Sequence, residues 1–297
     1  MTDQNRKWIY LFVLSIIWGT SYILIKKGLR GFSPIQLGAL RAVVATVLLW
    51  VIGFKALRNI TKGDWKWVIL SGFVGSFVPM FLFAIAQTEI DSSVTAILNS
   101  LVPLFTLFVG LFAFGVGFTR NQLLGVLVGL VGAGFLIFFG KNVNPNQNYW
   151  YAGFVVLATI CYACNANIIK SKLQDVSPMG IAVGNFTSIF VPAVIVLPLS
   201  GFFKTEVLAG PFFWESFGYI VLLCIIGTCI AKVMFNRLVQ LSSAVFSVSV
   251  TYLIPIVGVF WGLLDGETFT IRQSFAALLI LLGVYLVNKK KTPRKTS

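Results

Sequence analysis

Ten apolar stretches of roughly 20 residues run through this chain, separated by short polar breaks. An α-helix of about 20 residues crosses the hydrocarbon core of a bilayer, which is about 30 Å thick. Hydrophobic residues make up 58% of the 297 residues and charged residues only 11%, which is more apolar surface than a water-soluble domain can bury. The sequence therefore predicts an all-α integral membrane protein of ten transmembrane helices, with the lipid bilayer as its solvent.

The predicted spans are separated by breaks rich in Gly, Pro, Asn and Asp. They lie near 8–27, 34–54, 66–87, 93–115, 121–140, 149–170, 178–200, 213–235, 242–264 and 271–288. Pro34 and Pro178 each follow a serine, which predicts a serine N-cap and a proline at the first helical position. The first apolar run contains no small-residue cleavage site, so we interpret it as a retained helix rather than a signal peptide.

The basic residues indicate an orientation. Most of the 23 Lys and Arg residues, with Lys232 counted among them, fall in segments that are cytoplasmic when both termini face the cytoplasm. Six lie in outer segments, and the cluster Lys26, Lys27 and Arg30 is the one outer loop that argues against this orientation. The net charge of +14 is then accounted for by loops held against anionic headgroups, and we expect no nucleic-acid partner.

The chain contains an internal repeat. At a shift of 144 residues, Trp18 aligns with Tyr162, Lys26 with Lys170, and Ser33-Pro34 with Ser177-Pro178. At a shift of 152 residues, Pro103 aligns with Pro255, Phe108 with Phe260, and Arg120 with Arg272. We therefore predict two five-helix repeats, residues 1–144 and residues 145–297 with a short basic cytoplasmic tail.

A repeat with an odd number of crossings has an architectural consequence. The second copy enters the bilayer from the opposite side, so the two copies have inverted topology. Inverted repeats are typical of secondary transporters that work by alternating access and bind a small-molecule substrate between the halves. We expect the first, third, fourth, sixth, eighth and ninth helices to line the path. A duplicated structural bundle without a transport role is the alternative.

Several of these residues resemble motifs of the drug/metabolite transporter (DMT) superfamily. They are Trp18-Gly19 with Lys26, Pro34 with Arg41, the segment 251–267, and Gly283. The chain is similar to an EamA-like transporter with two EamA repeats. This resemblance implies a multi-pass carrier of the bacterial inner (plasma) membrane that commonly exports amino acids, related metabolites or toxic small molecules. It also implies an acidic residue where this chain has Gly115, opposite Glu267, so a role that needs both acids does not carry over.

Two predicted helices carry aromatic and small polar residues on one face. Trp18, Ser21 and Tyr22 share a face of the first helix, and Tyr162 and Asn165 are their counterparts in the sixth. Such a face suits a cavity that holds an organic molecule by stacking and a few hydrogen bonds. The alternative is an aromatic belt at the membrane interface, although Trp18 and Tyr162 lie near mid-span.

A second pair of candidate contacts precedes two prolines. Asn99 and Thr251 each lie four residues before a proline, Pro103 or Pro255, which frees a carbonyl and bends the helix into a pocket or a hinge. Asn99 could equally tie two helices together. Tyr252 is a weaker candidate for contact with the substrate.

The charged candidates are Arg41, inside the second span, and Glu267, at the outer end of the ninth. Arg41 either anchors an anionic group or serves a structural role, and the resemblance favours the structural role. All nine acidic residues fall in tails, loops or span ends. Proton coupling would therefore depend on a rim carboxylate such as Glu267, whereas gradient-driven export needs none, and we expect the latter.

The sequence gives little support for a catalytic, metal or cofactor site. The chain has no histidine, and its four cysteines, Cys161, Cys164, Cys224 and Cys229, all lie in predicted spans. We interpret them as packing thiols and expect no metal, no cofactor and no catalytic residue. A membrane-embedded enzyme and a non-transporting scaffold remain the alternatives. Gly125, Gly129 and Gly132 predict close helix packing, either within a monomer or in a homodimer.

Overall fold

Helices make up all the regular structure of residues 3–115, 120–143 and 146–288, the part of the chain described by the computed structural model. We number the ten long helices in chain order: α1 Asn5–Gly28, α2 Pro34–Asn59, α3 Trp65–Ala86, α4 Ser92–Ala113, α5 Arg120–Val143, α6 Tyr149–Lys172, α7 Pro178–Leu199, α8 Phe213–Leu241, α9 Ala244–Leu264 and α10 Ile271–Asn288. Eight of them are long and apolar enough to cross a membrane, and α5 and α10 contain shorter apolar helices. The predicted all-α membrane fold is confirmed.

The two predicted serine caps are present. Ser33 Oγ accepts a hydrogen bond from the backbone N of Gln36, and Gln36 Oε1 accepts one from Ser33 N at 2.9 Å, which completes a capping box. Ser177 Oγ accepts from Gly180 N at 3.0 Å at the start of α7. The prolines follow at the first turn, where a missing N–H costs no helical hydrogen bond, so both helix starts are confirmed.

Helix packing is preserved when the two halves are exchanged. The helix α1 packs on α9 as α6 packs on α4, and α2 packs on α8 as α7 packs on α3. The pairs α2–α7, α4–α9 and α5–α10 map onto themselves. The halves are thus related by a pseudo-twofold arrangement, and five crossings per half give the second half the opposite orientation in the membrane.

Equivalent irregularities interrupt the helices of both halves. A π-helical turn spans Phe73–Phe77 in α3, and another spans Leu223–Ile230 in α8. A π turn widens the helix locally and leaves backbone carbonyls without their usual partners. Short 3₁₀ segments, Asn99–Leu101 in α4 and Ser249–Tyr252 in α9, lie at corresponding positions of the other pair.

The glycines of α5 are used inside the chain. A methyl group added at Gly132 would lie 2.8 Å from the backbone N of Ile280 in α10. A methyl group added at Gly283 in α10 would overlap the backbone N of Gly129 and the carbonyl oxygen of Gly125. The small-residue face of α5 therefore packs against α10 of the same chain and lets the two backbones approach closely.

Candidate substrate cavity

A cavity lies between the two halves, near the middle of the helices that form it. The empty space between its walls is ≈ 830 Å³ when the part open to the outside is included. Its walls come from the six helices expected from the sequence and from α2, which contributes Arg41. Most of the lining is apolar or aromatic, with a small number of polar groups, as is usual for sites that bind small organic molecules.

The cavity brings together most of the residues singled out in the sequence. The predicted substrate contacts in its walls are Trp18, Ser21, Tyr22, Asn99, Tyr162, Asn165 and Thr251, and Arg41 joins them. Tyr252 and Glu267 are not part of the lining. Tyr252 instead packs against the hydrophobic core, in the 3₁₀ turn of α9. The prolines Pro103 and Pro255 follow the 3₁₀ turns, each at the start of a new helical segment.

Trp18 is fixed by a backbone carbonyl of the π turn in α8. Its indole Nε1 donates to the carbonyl of Gly227 at 3.1 Å, and its ring contacts Phe235 with centroids 5.2 Å apart. Gly227 also lies against the hydroxyl of Ser21, because a methyl group added at Gly227 would stand 2.7 Å from Ser21 Oγ. The aromatic face of α1 therefore depends on a glycine in α8.

The same arrangement occurs in the other half of the molecule. Gly75 in the π turn of α3 corresponds to Gly227 at the shift of 152 residues, and Asn165 corresponds to Ser21 at the shift of 144. A methyl group added at Gly75 would overlap the side chain of Asn165. Sequence reasoning missed this pair of glycines, because the repeat was recognised from the first, second, fourth and fifth helices and not from the third.

Aromatic rings line one side of the cavity. Phe83 of α3 stacks on Tyr162 of α6 with centroids 5.8 Å apart and an interplanar angle of 23°. It also meets the ring of Tyr22 of α1 edge-on, at 5.7 Å and 74°. The three rings connect both halves and offer a flat apolar surface to a bound molecule.

Arg41 is held by the opposite half. Its Nε and Nη2 atoms both donate to Thr228 Oγ1, each at 3.2 Å, so the plane of the guanidinium group is fixed between α2 and α8. Cys224, also on α8, contacts the backbone carbonyl of Arg41 through its sulfur at 3.4 Å. Cys229 does the same with Ala45 at 3.7 Å, so both thiols act in helix packing.

A second cation in the cavity, Lys232, was missed. The count of basic residues places this lysine among the cytoplasmic residues although the predicted span 213–235 contains it, and that count is wrong because Lys232 lies within α8, which continues to Leu241. Lys232 is only 8% exposed and lines the cavity. Its Nζ donates to the carbonyl of Gly75 at 2.5 Å, in the π turn of α3. The widened turn supplies the acceptor that allows a lysine inside the membrane.

Two polar atoms in the walls lack hydrogen bonds. Asn99 is 3% exposed and Ser76 is 2% exposed. Asn99 Oδ1 and Ser76 Oγ are buried without a hydrogen-bond partner among the residues that the structure describes. Buried polar atoms are normally paired, so these two atoms are the unsatisfied hydrogen-bonding groups of the cavity wall.

Glu267 belongs to a separate charge cluster at the end of the bundle formed by the α1 C-terminus, the α4 N-terminus and the α9–α10 loop. Its Oε1 lies 2.8 Å from Lys26 Nζ and accepts from Ser92 Oγ at 2.6 Å and from Ser92 N at 3.0 Å. Its Oε2 accepts from Ser93 N at 3.0 Å. Burial alone would raise the pKa of Glu267, but the hydrogen bonds from Lys26 and the two serines hold it below its ordinary value.

The charge cluster also contains Asp265 and Lys27. Lys26 Nζ lies 2.7 Å from Asp265 Oδ2, and Lys27 pairs with the other oxygen of the same carboxylate. Burial acts to raise the pKa of Asp265, but the bonds from both lysines bring it below its ordinary value. Arg30 pairs with Glu215 at 3.4 Å on the exposed surface. The basic residues Lys26, Lys27 and Arg30, which lie on the side with few basic residues, are thus paired with acidic residues of the other half.

The charge cluster has no equivalent at the symmetry-related position. At the shift of 152 residues Glu267 corresponds to Gly115 and Ser92 to Ala244. Lys170 corresponds to Lys26, and its Nζ donates to the carbonyl of Gln240 at 3.4 Å. Ion pairs therefore connect the helices at one end of the molecule, whereas a lysine–carbonyl hydrogen bond occupies the corresponding place at the other end.

A ten-helix bundle of two inverted halves with a shared cavity defines a membrane transporter. The EamA-like transporter family matches residues 6–138 and again residues 149–289, and the chain belongs to this family.

Relatives resemble the chain along nearly its whole length. An Escherichia coli protein named "Uncharacterized inner membrane transporter YedA" is 26% identical over 292 residues, covering 94% of this chain and 92% of the relative. A Salmonella typhimurium protein named "Probable amino-acid metabolite efflux pump" is 24% identical over 297 residues, covering 95% of each chain. A crystal structure with a TM-score of 0.68 and 15% identity, covering 97% of each chain, shares the fold.

Proposed function

We propose that this transporter exports a small organic metabolite by alternating access, with the cavity as its substrate site. The observation that carries the proposal is that both halves supply equivalent walls to one cavity, including the matched π-turn glycines Gly75 and Gly227. Exchange of the conformations of two inverted halves then turns the cavity from one side of the membrane to the other. The name of the efflux-pump relative supports the direction of transport and the substrate class.

The orientation belongs to the same proposal. With both termini in the cytoplasm, repeats 1–144 and 145–297 cross the bilayer in opposite directions and the charge cluster lies on the outer side. Asp265 and Glu267 pair with Lys26 and Lys27, so this outer basic cluster is held within the folded protein, and the larger number of basic residues on the other side supports the orientation. The site of action is the inner membrane, in agreement with the name of the relative YedA.

The charge cluster biases the transport cycle. Because Glu267 ties α1 to α4 and to the α9–α10 loop, opening the outer side requires the separation of buried charged groups. The cytoplasmic side has Gly115 and Ala244 at the equivalent positions and can open without that cost. The resting transporter therefore opens its cavity toward the cytoplasm, where a substrate for export is loaded.

A catalytic function has less support. A hydrolase or transferase needs a nucleophile with a base, paired carboxylates or a metal cluster that converge in the cavity. The cavity lining contains neither a carboxylate nor a cysteine, and the chain has no histidine. In the described part of the chain no group of three His, Cys, Asp or Glu residues could hold a metal ion.

Purified protein in liposomes tests the proposal against its alternatives. We expect saturable flux of an unaltered solute across the liposome membrane when a panel of amino acids, organic acids and small aromatic compounds is screened. Chemical change of a solute would favour an enzyme. Absence of flux for the whole panel would favour a scaffold and overturn the proposal.

A further inference from the structure

We propose that the cavity recognises an organic anion, and that Arg41 and Lys232 bind its carboxylate. This inference rests on the proposed function and names the substrate class of the same cavity. It follows from the charge of the lining, the placement of the two cations and the symmetry of the fold.

The lining carries two cations and no acid. Arg41 and Lys232 both face the cavity, and no Asp or Glu is among the residues of its walls. Arg41 is bonded to Thr228, which lies four residues before Lys232 on α8 and lines the same cavity, so the two cations lie on the same side of it. Two like charges in a largely apolar membrane cavity are costly unless an anion neutralises them, and a carboxylate that forms charge-assisted hydrogen bonds supplies that neutralisation.

Both side chains are held in position by uncharged partners. Thr228 orients the guanidinium group of Arg41 through Nε and Nη2, and the third nitrogen, Nη1, takes no part in that contact. The Gly75 carbonyl positions the ammonium group of Lys232, which has two further N–H donors. Such an arrangement orients the donors and leaves the positive charge for a ligand.

The symmetry-related positions of both cations carry uncharged side chains. At the corresponding positions of the other half, Met80 stands in place of Lys232 and Asn185 in place of Arg41. Met80 is 4% exposed and lines the same cavity, so the architecture accepts an uncharged side chain at this site. The charge of Lys232 is therefore not explained by helix packing, whereas Arg41 also connects α2 to α8 through Thr228.

The other residues of the cavity wall indicate which groups the ligand carries besides its carboxylate. The rings of Trp18, Tyr22 and Tyr162, together with Phe83 and Phe235, favour an apolar or aromatic body beside the carboxylate. Asn99 Oδ1 accepts a hydrogen bond from an amino or hydroxyl group of the ligand, if it carries one.

The test compares probes that differ in charge but little in shape. They are 3-phenylpropanoate, its uncharged amide 3-phenylpropanamide, and the cation phenethylammonium. Binding to detergent-purified protein is followed by tryptophan fluorescence, and flux is followed in liposomes. We expect the carboxylate to bind at least about tenfold more tightly than the amide or the cation. Equal or tighter binding of the amide or the cation would overturn the proposal.

Variants connect the preference to the two cations. Lys232→Met should lower carboxylate affinity about tenfold or more and leave amide binding unchanged, and Arg41→Gln should act in the same direction. Arg237→Gln, on the same helix but outside the lining, is the matched control and should retain wild-type affinity. Lys232→Met should not lower the unfolding midpoint of the ligand-free protein, because it removes a buried charge.

The outcomes separate this inference from the proposed function. Carboxylate binding that depends on Lys232, without flux of any probe, would support the anion site and contradict the carrier. Saturable flux with no preference for the carboxylate, or a preference unchanged in Lys232→Met, would support the carrier and contradict the anion site. A lower unfolding midpoint in Lys232→Met, with the carboxylate preference intact, would show that Lys232 stabilises the fold and does not bind the ligand.

Discussion

Lys26 of the first half and Glu267 of the second form a half-buried ion pair, with 2.8 Å between Lys26 Nζ and Glu267 Oε1. The Glu267 side chain is 2% exposed and also accepts hydrogen bonds from Ser92 and Ser93. One carboxylate thereby connects α1, α4 and the α9–α10 loop. In the proposed transport cycle, the outer side opens only when these contacts break.

Removal of the charge at Glu267 should weaken the closure of the outer side. We expect Glu267→Gln to destabilise the protein by about 1–3 kcal/mol, because a buried charge-assisted hydrogen-bond network is lost. The thermal unfolding midpoint in detergent measures this change. The control is Glu215→Gln, whose pair with Arg30 is exposed and should contribute little. Equal midpoints for wild type and Glu267→Gln would contradict the role of the cluster.

The charge cluster should respond to acid. The folded protein holds the pKa of Glu267 below its ordinary value of about 4.3, so the unfolded state binds a proton more readily. The stabilisation is fully present above about pH 4.3 and is lost as the pH falls through the folded pKa. Unfolding midpoints between neutral and acidic pH should show a smaller acid-dependent loss in Glu267→Gln than in wild type. Parallel profiles would assign the acid response to other carboxylates.

The π-turn glycines should not tolerate a methyl group. Gly75→Ala and Gly227→Ala force the side chains of Asn165 and Ser21 to move, at a cost of about 1–3 kcal/mol. Gly218→Ala is the control in α8, where an added methyl group would meet no atom within 4 Å. Unfolding midpoints and flux of the three variants test this. Wild-type behaviour of both Gly75→Ala and Gly227→Ala would show that the close approach is not needed.

The aromatic residues of the cavity should control transport. We expect Trp18→Ala and Tyr162→Ala each to lower flux about tenfold or more while expression is retained, because ring contacts with the substrate are lost. Trp214→Ala, at a tryptophan that is 78% exposed, should transport as wild type does. Flux measured at equal amounts of reconstituted protein is the readout. Unchanged flux in both cavity variants would refute the pocket.

Most of the fold and much of the cavity could be predicted from sequence, for identifiable reasons. Hydropathy marks helices because each must match the bilayer thickness, and the serine-proline pairs mark helix starts. Trp18 and Ser21 could be placed on one face because they are separated by three positions of a helix. The repeat then supplied Tyr162 and Asn165, which line the same cavity.

The residues that were missed depend on contacts between distant parts of the chain. Lys232 was counted with the cytoplasmic basic residues because such a count does not reveal a carbonyl acceptor, and its acceptor Gly75 lies 157 residues away. Glu267 was expected at a solvated rim, whereas its partner Ser92 lies 175 positions away and encloses it. A π turn has no sequence period of its own, so its position was visible only in the repeated glycines.

Cross-linking the two halves tests alternating access most directly. The native cysteines are first replaced. Lys26→Cys and Glu267→Cys are then joined by a cleavable bifunctional thiol reagent whose spacer matches the length of the two side chains that form the ion pair. Thr61→Cys with Asp64→Cys, a contacting pair within one loop, is the control. We predict that cross-linking the first pair abolishes flux, that a reductant restores it, and that the control pair has no effect. Undiminished flux through fully cross-linked Lys26→Cys/Glu267→Cys protein would contradict transport by movement of the two halves.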